Sequence, residues 1–167
     1  METLDDEQRE RWSTDGYLHL RGVLSPDEVT FFSDELDRVR LLPGYEPGQA
    51  QLGHYEWMET SKSVDTEGFM DRRDLLNYGQ HFIDLIDRPG LFDLLVDIMG
   101  PHIMLSMTQA IVRPSTDGFA GYTHTDGGEG LREIRVSETS PPLAMKAMYL
   151  LSDVTQEDAG AFTVFPG

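Results

Sequence analysis

Of the five histidines in the chain, two are followed two residues later by a carboxylate: His54-Tyr55-Glu56 and His124-Thr125-Asp126. In an extended segment the side chains i and i+2 leave the backbone on the same side, so an imidazole nitrogen and a carboxylate oxygen at that spacing can share one metal ion. With one further imidazole they make the facial triad of non-haem Fe(II), which leaves coordination positions open. Because 30 of the 167 residues are Asp or Glu, about one such pair among five histidines is expected by chance, and context has to separate the two. His124-Thr125-Asp126 runs into Gly127-Gly128, where backbone and ligand can approach closely, whereas His54 lies in a stretch without periodicity. The competing reading of His124 and Asp126 is a surface strand end with a local hydrogen bond.

His19, His81 and His102 have no partner in sequence and are expected to be structural. Asp153, Glu157 and Asp158 form a loose carboxylate cluster, but without the Gly and downstream Glu of a calcium loop they read as a solvated turn. Met104, Met107, Met145 and Met148 sit at strand-like positions, where core packing is the expectation. Cysteine is absent, which excludes a thiolate metal site, a disulfide framework and a cysteine nucleophile. Neither a Gly-x-Ser-x-Gly elbow nor a glycine-rich phosphate loop occurs, so acyl and nucleotide chemistry lose support.

The elements that must position these residues change class along the chain. Residues 5–15 are charged, with Trp12 as the main apolar anchor and Gly16 behind them, which predicts a short surface helix. Residues 17–20 read as a short strand. Ser25-Pro26-Asp27-Glu28 is a helix start, with a capping residue, a proline at the first helical position and the acid of a capping box. Val29, Phe32, Leu36 and Val39 then follow at helical spacing to about residue 41, with Asp34, Glu35, Asp37 and Arg38 on the solvated face. From residue 42 to about 71 periodicity is lost, and a connection of that length is usually functional or mobile. Residues 75–86 and 91–99 read as helices. The apolar stretch 98–112 is broken by Gly100-Pro101-His102 and predicts two buried elements meeting at a turn. Beyond it, residues 103–112, 143–151 and 161–165 read as strands, with a turn at 154–160. Helices first and strands afterwards predict an α+β fold, helices packed on an antiparallel sheet or barrel.

A formal charge of −17, from 13 basic and 30 acidic residues, leaves no basic surplus for phosphate contacts and argues against nucleic acid and against anionic membranes. Hydrophobic residues at 39% are enough for a packed core. The amino end is acidic where a signal peptide is basic and then apolar, and no uncharged run reaches the roughly 18 apolar residues of a membrane span. Cytoplasmic location is the expectation, with oligomeric state open.

Several short motifs, taken in order, resemble the phytanoyl-CoA dioxygenase family. They are Trp12-x-x-Asp15-Gly16-Tyr17-Leu18 with Gly22-Val23-Leu24-Ser25, then Gly100-Pro101-x-Ile103, then His124-x-Asp126, then Tyr149-Leu150-Leu151-x-Asp153, and last Gly160-Ala161-Phe162-Thr163-Val164-Phe165-Pro166-Gly167. The resemblance implies a single domain over residues 1–167: N-terminal helices packed on a double-stranded β-helix, the cupin-like jelly roll. It also implies an Fe(II)- and 2-oxoglutarate-dependent dioxygenase that uses O2, coupling decarboxylation of 2-oxoglutarate to succinate with hydroxylation of a small-molecule substrate. His124 and Asp126 match the first two iron ligands. Gln109 and Arg72 match positions bordering the cosubstrate, and Tyr149 matches an aromatic on the strand facing the iron.

Family members continue Pro-Gly with Ser-His and later supply a distal His ligand and an Arg for the far carboxylate of 2-oxoglutarate. None of His19, His54, His81 or His102 lies at the distal position, so the resemblance implies the N-terminal portion of the catalytic domain, with the jelly roll incomplete at its C-terminal end. Trp57, Tyr122 and Arg132 are candidates for the substrate pocket wall. A net charge of −17 argues against steering of an acidic CoA ester. The alternative is a catalytically inactive jelly-roll module that binds a small molecule or a protein.

Overall fold

The computed structural model describes residues 3–42, 70–113, 133–135, 137, 139–156 and 159–165. They fall into two compact units, one drawn from Met1–Ser25, Asp84–Met104 and Thr123–Gly167, the other from Pro26–Ile83 and Leu105–Tyr122.

The first unit holds helices α1 (Asp6–Asp15) and, in chain order the fourth, α4 (Leu91–Met99). Local chemistry sets the ends of α1. The Asp5 carboxylate accepts from the Gln8 N–H at 2.8 Å while the Gln8 side chain accepts from the Asp5 N–H at 3.0 Å, a reciprocal capping box. Gly16, at φ 76°, closes the other end with its N–H on the Trp12 carbonyl. No residue of α1 is fully buried: Trp12 is half-buried, and the buried anchor is Leu4, just before the helix. Asp97 of α4 accepts from both the Leu4 N–H at 3.0 Å and Arg9 Nη2 at 2.7 Å, so one carboxylate docks the amino-terminal segment. In α4 itself Leu94 is buried, and Gly90 and Gly100, both at positive φ, bound the helix.

The second unit holds α2 (Pro26–Arg40), β1 (Met70–Arg73), a 3-10 turn (Leu75–Tyr78), α3 (Gln80–Ile83) and β2 (Gln109–Val112). The apolar spacing of α2 works as expected: Phe32 and Val39 are buried, Val29 and Leu36 half-buried. Around them Met70, Leu75, Phe82 and Ala110 complete the buried apolar set. The single helix expected over 75–86 is interrupted, because Gly79 is extended between the 3-10 turn and α3 and a Cβ there would run into the His81 ring.

β1 and β2 pair antiparallel, Met70 with Val112, Asp71 with Ile111, Arg72 with Ala110 and Arg73 with Gln109. Theirs is the only ladder among the described residues, so the architecture shown is α+β with a small two-stranded antiparallel sheet. A jelly roll is not shown. Residues 17–20, 143–151 and 161–165 form no strand, and of 103–112 only the last four do. A strand exists only where a partner takes its N–H and C=O groups, and apolar residues in series do not create that partner. The expected methionine core fails for the same reason: Met104 is 89% exposed, Met148 and Met107 are also exposed, and Met145 is half-buried. Among the described residues no helix is long and apolar enough to cross a membrane.

Candidate functional site

The two-stranded ribbon sorts the sequence candidates by face. Cα partners in an antiparallel pair share a face and neighbours along a strand alternate, so Met70, Arg72, Ala110 and Val112 point one way and Asp71, Arg73, Gln109 and Ile111 the other. Burial agrees, since Met70, Arg72 and Ala110 are all buried while Ile111 is 46% exposed. Gln109 and Arg72 therefore project from opposite faces of one ribbon and do not meet on one side of it.

On the Gln109 face, Nε2 of Gln109 donates to Oδ1 of Asp71 at 2.7 Å, the diagonal contact of an antiparallel pair. Arg73 stands opposite Gln109 in register. Its Nε is shielded from solvent and makes no hydrogen bond among the described residues. The ribbon ends in a turn at Asp74, whose φ of 58° is the left-handed region that costs a residue with a Cβ roughly 1 kcal/mol. Thr108 holds that turn, its carbonyl accepting from the Asp74 N–H at 3.0 Å and its Oγ1 from the Leu75 N–H at 2.9 Å.

On the other face, Arg72 is 9% exposed, donates from Nη1 to the Tyr78 hydroxyl at 3.3 Å and lies over the Tyr78 ring at 5.2 Å. Arg38 of α2 reaches the same turn, donating from Nη2 to the Tyr78 carbonyl at 2.8 Å. Arg38 also grips Glu35 through Nε and Nη2, and these hydrogen bonds hold the Glu35 carboxyl below its usual value despite the burial that opposes them. His81 completes the cluster. Its ring packs edge-on against Phe31 and closely against Phe82. Glu35, expected on a solvated face, is thus largely enclosed.

Tyr149 belongs to the first unit. Its hydroxyl donates to the Leu85 carbonyl at 2.7 Å, and burial pushes its phenol up, with the Arg88 charge acting against that. His19 and His102 are exposed, and the turn expected at 154–160 contains the Ala159 N–H to Gln156 carbonyl bond at 3.3 Å. His54, Trp57, Tyr122, His124, Asp126, Arg132, Glu157 and Asp158 lie outside the described residues. Among the described residues no three His, Asp or Glu side chains come together as a metal-binding group. As a donor set, His124 and Asp126 suit Fe(II), imidazole nitrogen and carboxylate oxygen being two of the three donors of a facial triad.

Sequence reasoning missed Asp71, Arg73 and the Glu35–Arg38–His81 cluster. Met70–Arg73 is too short and too charged to announce itself as a strand. The one readable signal was Met70 and Arg72 in alternation, which four residues cannot distinguish from a loop.

Comparison with curated proteins finds no match, and comparison with solved structures finds none either. The family model for phytanoyl-CoA dioxygenase (PhyH) matches residues 12–167, a span that takes in the ribbon, His124-x-Asp126 and Tyr149, and on that match the chain belongs to the phytanoyl-CoA dioxygenase family.

Proposed function

We propose that this chain belongs to an Fe(II)- and 2-oxoglutarate-dependent dioxygenase that hydroxylates a small-molecule substrate, with His124 and Asp126 as two of the iron ligands. The observation that carries the reading is the family match over residues 12–167 with His124-x-Asp126 inside it. Bound iron supplies a centre at which O2 reacts with 2-oxoglutarate, so that decarboxylation drives hydroxylation of a C–H bond. Gln109 borders the cosubstrate. A guanidinium is the natural partner of a carboxylate, and Arg73 stands opposite Gln109 on the face the two share. Arg72, enclosed beside Tyr78, holds the ribbon against the core. Tyr149 ties its own segment to the Leu85 carbonyl, which orients the aromatic ring. Trp57 and Tyr122 contribute apolar surface to the substrate pocket.

Anaerobic titration with Fe(II) in the presence of 2-oxoglutarate tests the reading. Chelated 2-oxoglutarate gives a weak visible charge-transfer band, expected in a protein that also carries the family's distal His and Arg and absent from its His124→Ala and Asp126→Ala variants. A catalytically inactive binding module shows no band in any of the three. Succinate formed without added substrate, and lost in the same variants, checks turnover without knowledge of the substrate.

A further inference from the structure

We infer that Asp71 is a positioning residue that fixes the side-chain amide of Gln109 in one orientation. The inference rests on the reading of Gln109 as a residue bordering the cosubstrate, and it goes beyond that reading by naming what sets the direction of the amide.

A glutamine amide is nearly symmetric in shape but opposite in chemistry at its two ends, and it can turn over unless a neighbour discriminates. An ionised carboxylate only accepts, so with Oδ1 of Asp71 at 2.7 Å the group facing it must be Nε2. Turning the amide over would set Oε1 against a carboxylate oxygen. One N–H of Gln109 is thereby committed, and the second N–H and Oε1 are held in fixed directions for a ligand. The partner comes from the other strand, 38 positions away in sequence, so the orientation depends on the β1–β2 register. Asp71 touches no ligand in this scheme. It acts through Gln109.

Three full-length proteins and the wild type test this: Asp71→Ala, Gln109→Leu and the double variant. In 15N-labelled protein the Gln109 side-chain amide pair, assigned by its loss in Gln109→Leu, is expected to show one downfield, slowly exchanging proton in the wild type and free-amide values in Asp71→Ala, which has no acceptor at that position. Free-amide values in the wild type, or an unchanged pair in Asp71→Ala, overturn the inference without reference to iron or 2-oxoglutarate. In anaerobic binding of 2-oxoglutarate to the Fe(II) protein, each single variant is expected to bind roughly fivefold more weakly, the loss of about one hydrogen bond, and the double variant no more weakly than Gln109→Leu. Wild-type affinity in Asp71→Ala beside a weakened Gln109→Leu overturns the positioning role alone. Additive losses show that Asp71 acts independently of Gln109 and overturn it as well. Unchanged binding in Gln109→Leu overturns the cosubstrate reading of Gln109, and the inference falls with it. Should Asp71→Ala fail to fold, Asp71→Glu, whose longer side chain displaces the acceptor, takes its place in both measurements.

Discussion

Nε2 of His81 lies 2.9 Å from Oε2 of Glu35, the same oxygen that Arg38 grips through Nη2 at 2.7 Å. The imidazole is shielded from solvent at that nitrogen but lacks the alignment of a hydrogen bond, so the carboxylate is bound by Arg38 and merely approached by His81. Since Arg38 also donates to the Tyr78 carbonyl, this pair connects α2 to the turn that follows the ribbon.

The Glu35 carboxyl is held below the ordinary carboxylate value of 4.5, chiefly by its hydrogen bonds to Arg38. A lowered folded-state value means that the unfolded chain binds the proton first on acidification. The contribution of Glu35 to stability is therefore complete above about pH 4.5 and is lost as pH falls through the lower folded value. Glu35→Gln is expected to cost about 1 kcal/mol at pH 7, the upper range for a partly exposed pair, and nothing at the acid end of the window. Urea unfolding of both proteins between neutral and acid pH measures the difference, and a constant gap at all pH values contradicts it.

Gly79 is extended, so alanine there carries no backbone penalty, but its methyl group would press on the His81 ring. Gly79→Ala is expected to destabilise by roughly 1–3 kcal/mol, as overpacking does. In the His81→Ala background the same substitution should cost much less. A double-mutant cycle by denaturant unfolding decides between this clash and an unrelated effect at Gly79.

Removing the Tyr149 hydroxyl strips the Leu85 carbonyl of its donor. Tyr149→Phe is expected to lose about 1 kcal/mol, because the carbonyl is left partly buried and unpaired. The phenol's raised value adds a pH signature: folded protein keeps the proton longer than unfolded chain, so stability from this group is present below about pH 10 and declines as pH rises through the folded value. The wild-type minus Tyr149→Phe ultraviolet difference titration should show a phenol that ionises later than free tyrosine.

Asp97 is the common acceptor of Leu4 and Arg9. Asp97→Ala is expected to release α1 locally, with a cost of about 1–2 kcal/mol for a partly buried charged hydrogen-bond acceptor. Hydrogen exchange should accelerate at the amides of Asp6–Asp15 while those of α2 around Phe32 and Val39 keep their protection. Equal acceleration in both helices contradicts a local role.

The amino-acid sequence by itself determined α1, α2 and α4, and the family. The ends of α1, the start of α2 and the limits of α4 were readable because caps, prolines and glycines act within one helical turn, and Phe32 and Val39 were readable as core because helical periodicity is local. The spacing and the ordered motifs single out His124 and Asp126 as candidate iron ligands, and both lie outside the described residues. Only the tertiary structure decided how β1 pairs, that Arg72 and Gln109 take opposite faces, that Asp71 meets Gln109, and that Glu35 of a nominally solvated face is enclosed by Arg38 and His81. The Glu35 cluster depends on His81 reaching it from another element, and the ribbon relationships depend on residues far apart in sequence meeting in one register, since a one-residue change of register would exchange the two faces. A short charged strand carries no internal preference strong enough to fix that choice; the core formed around Met70 and Ala110 makes it.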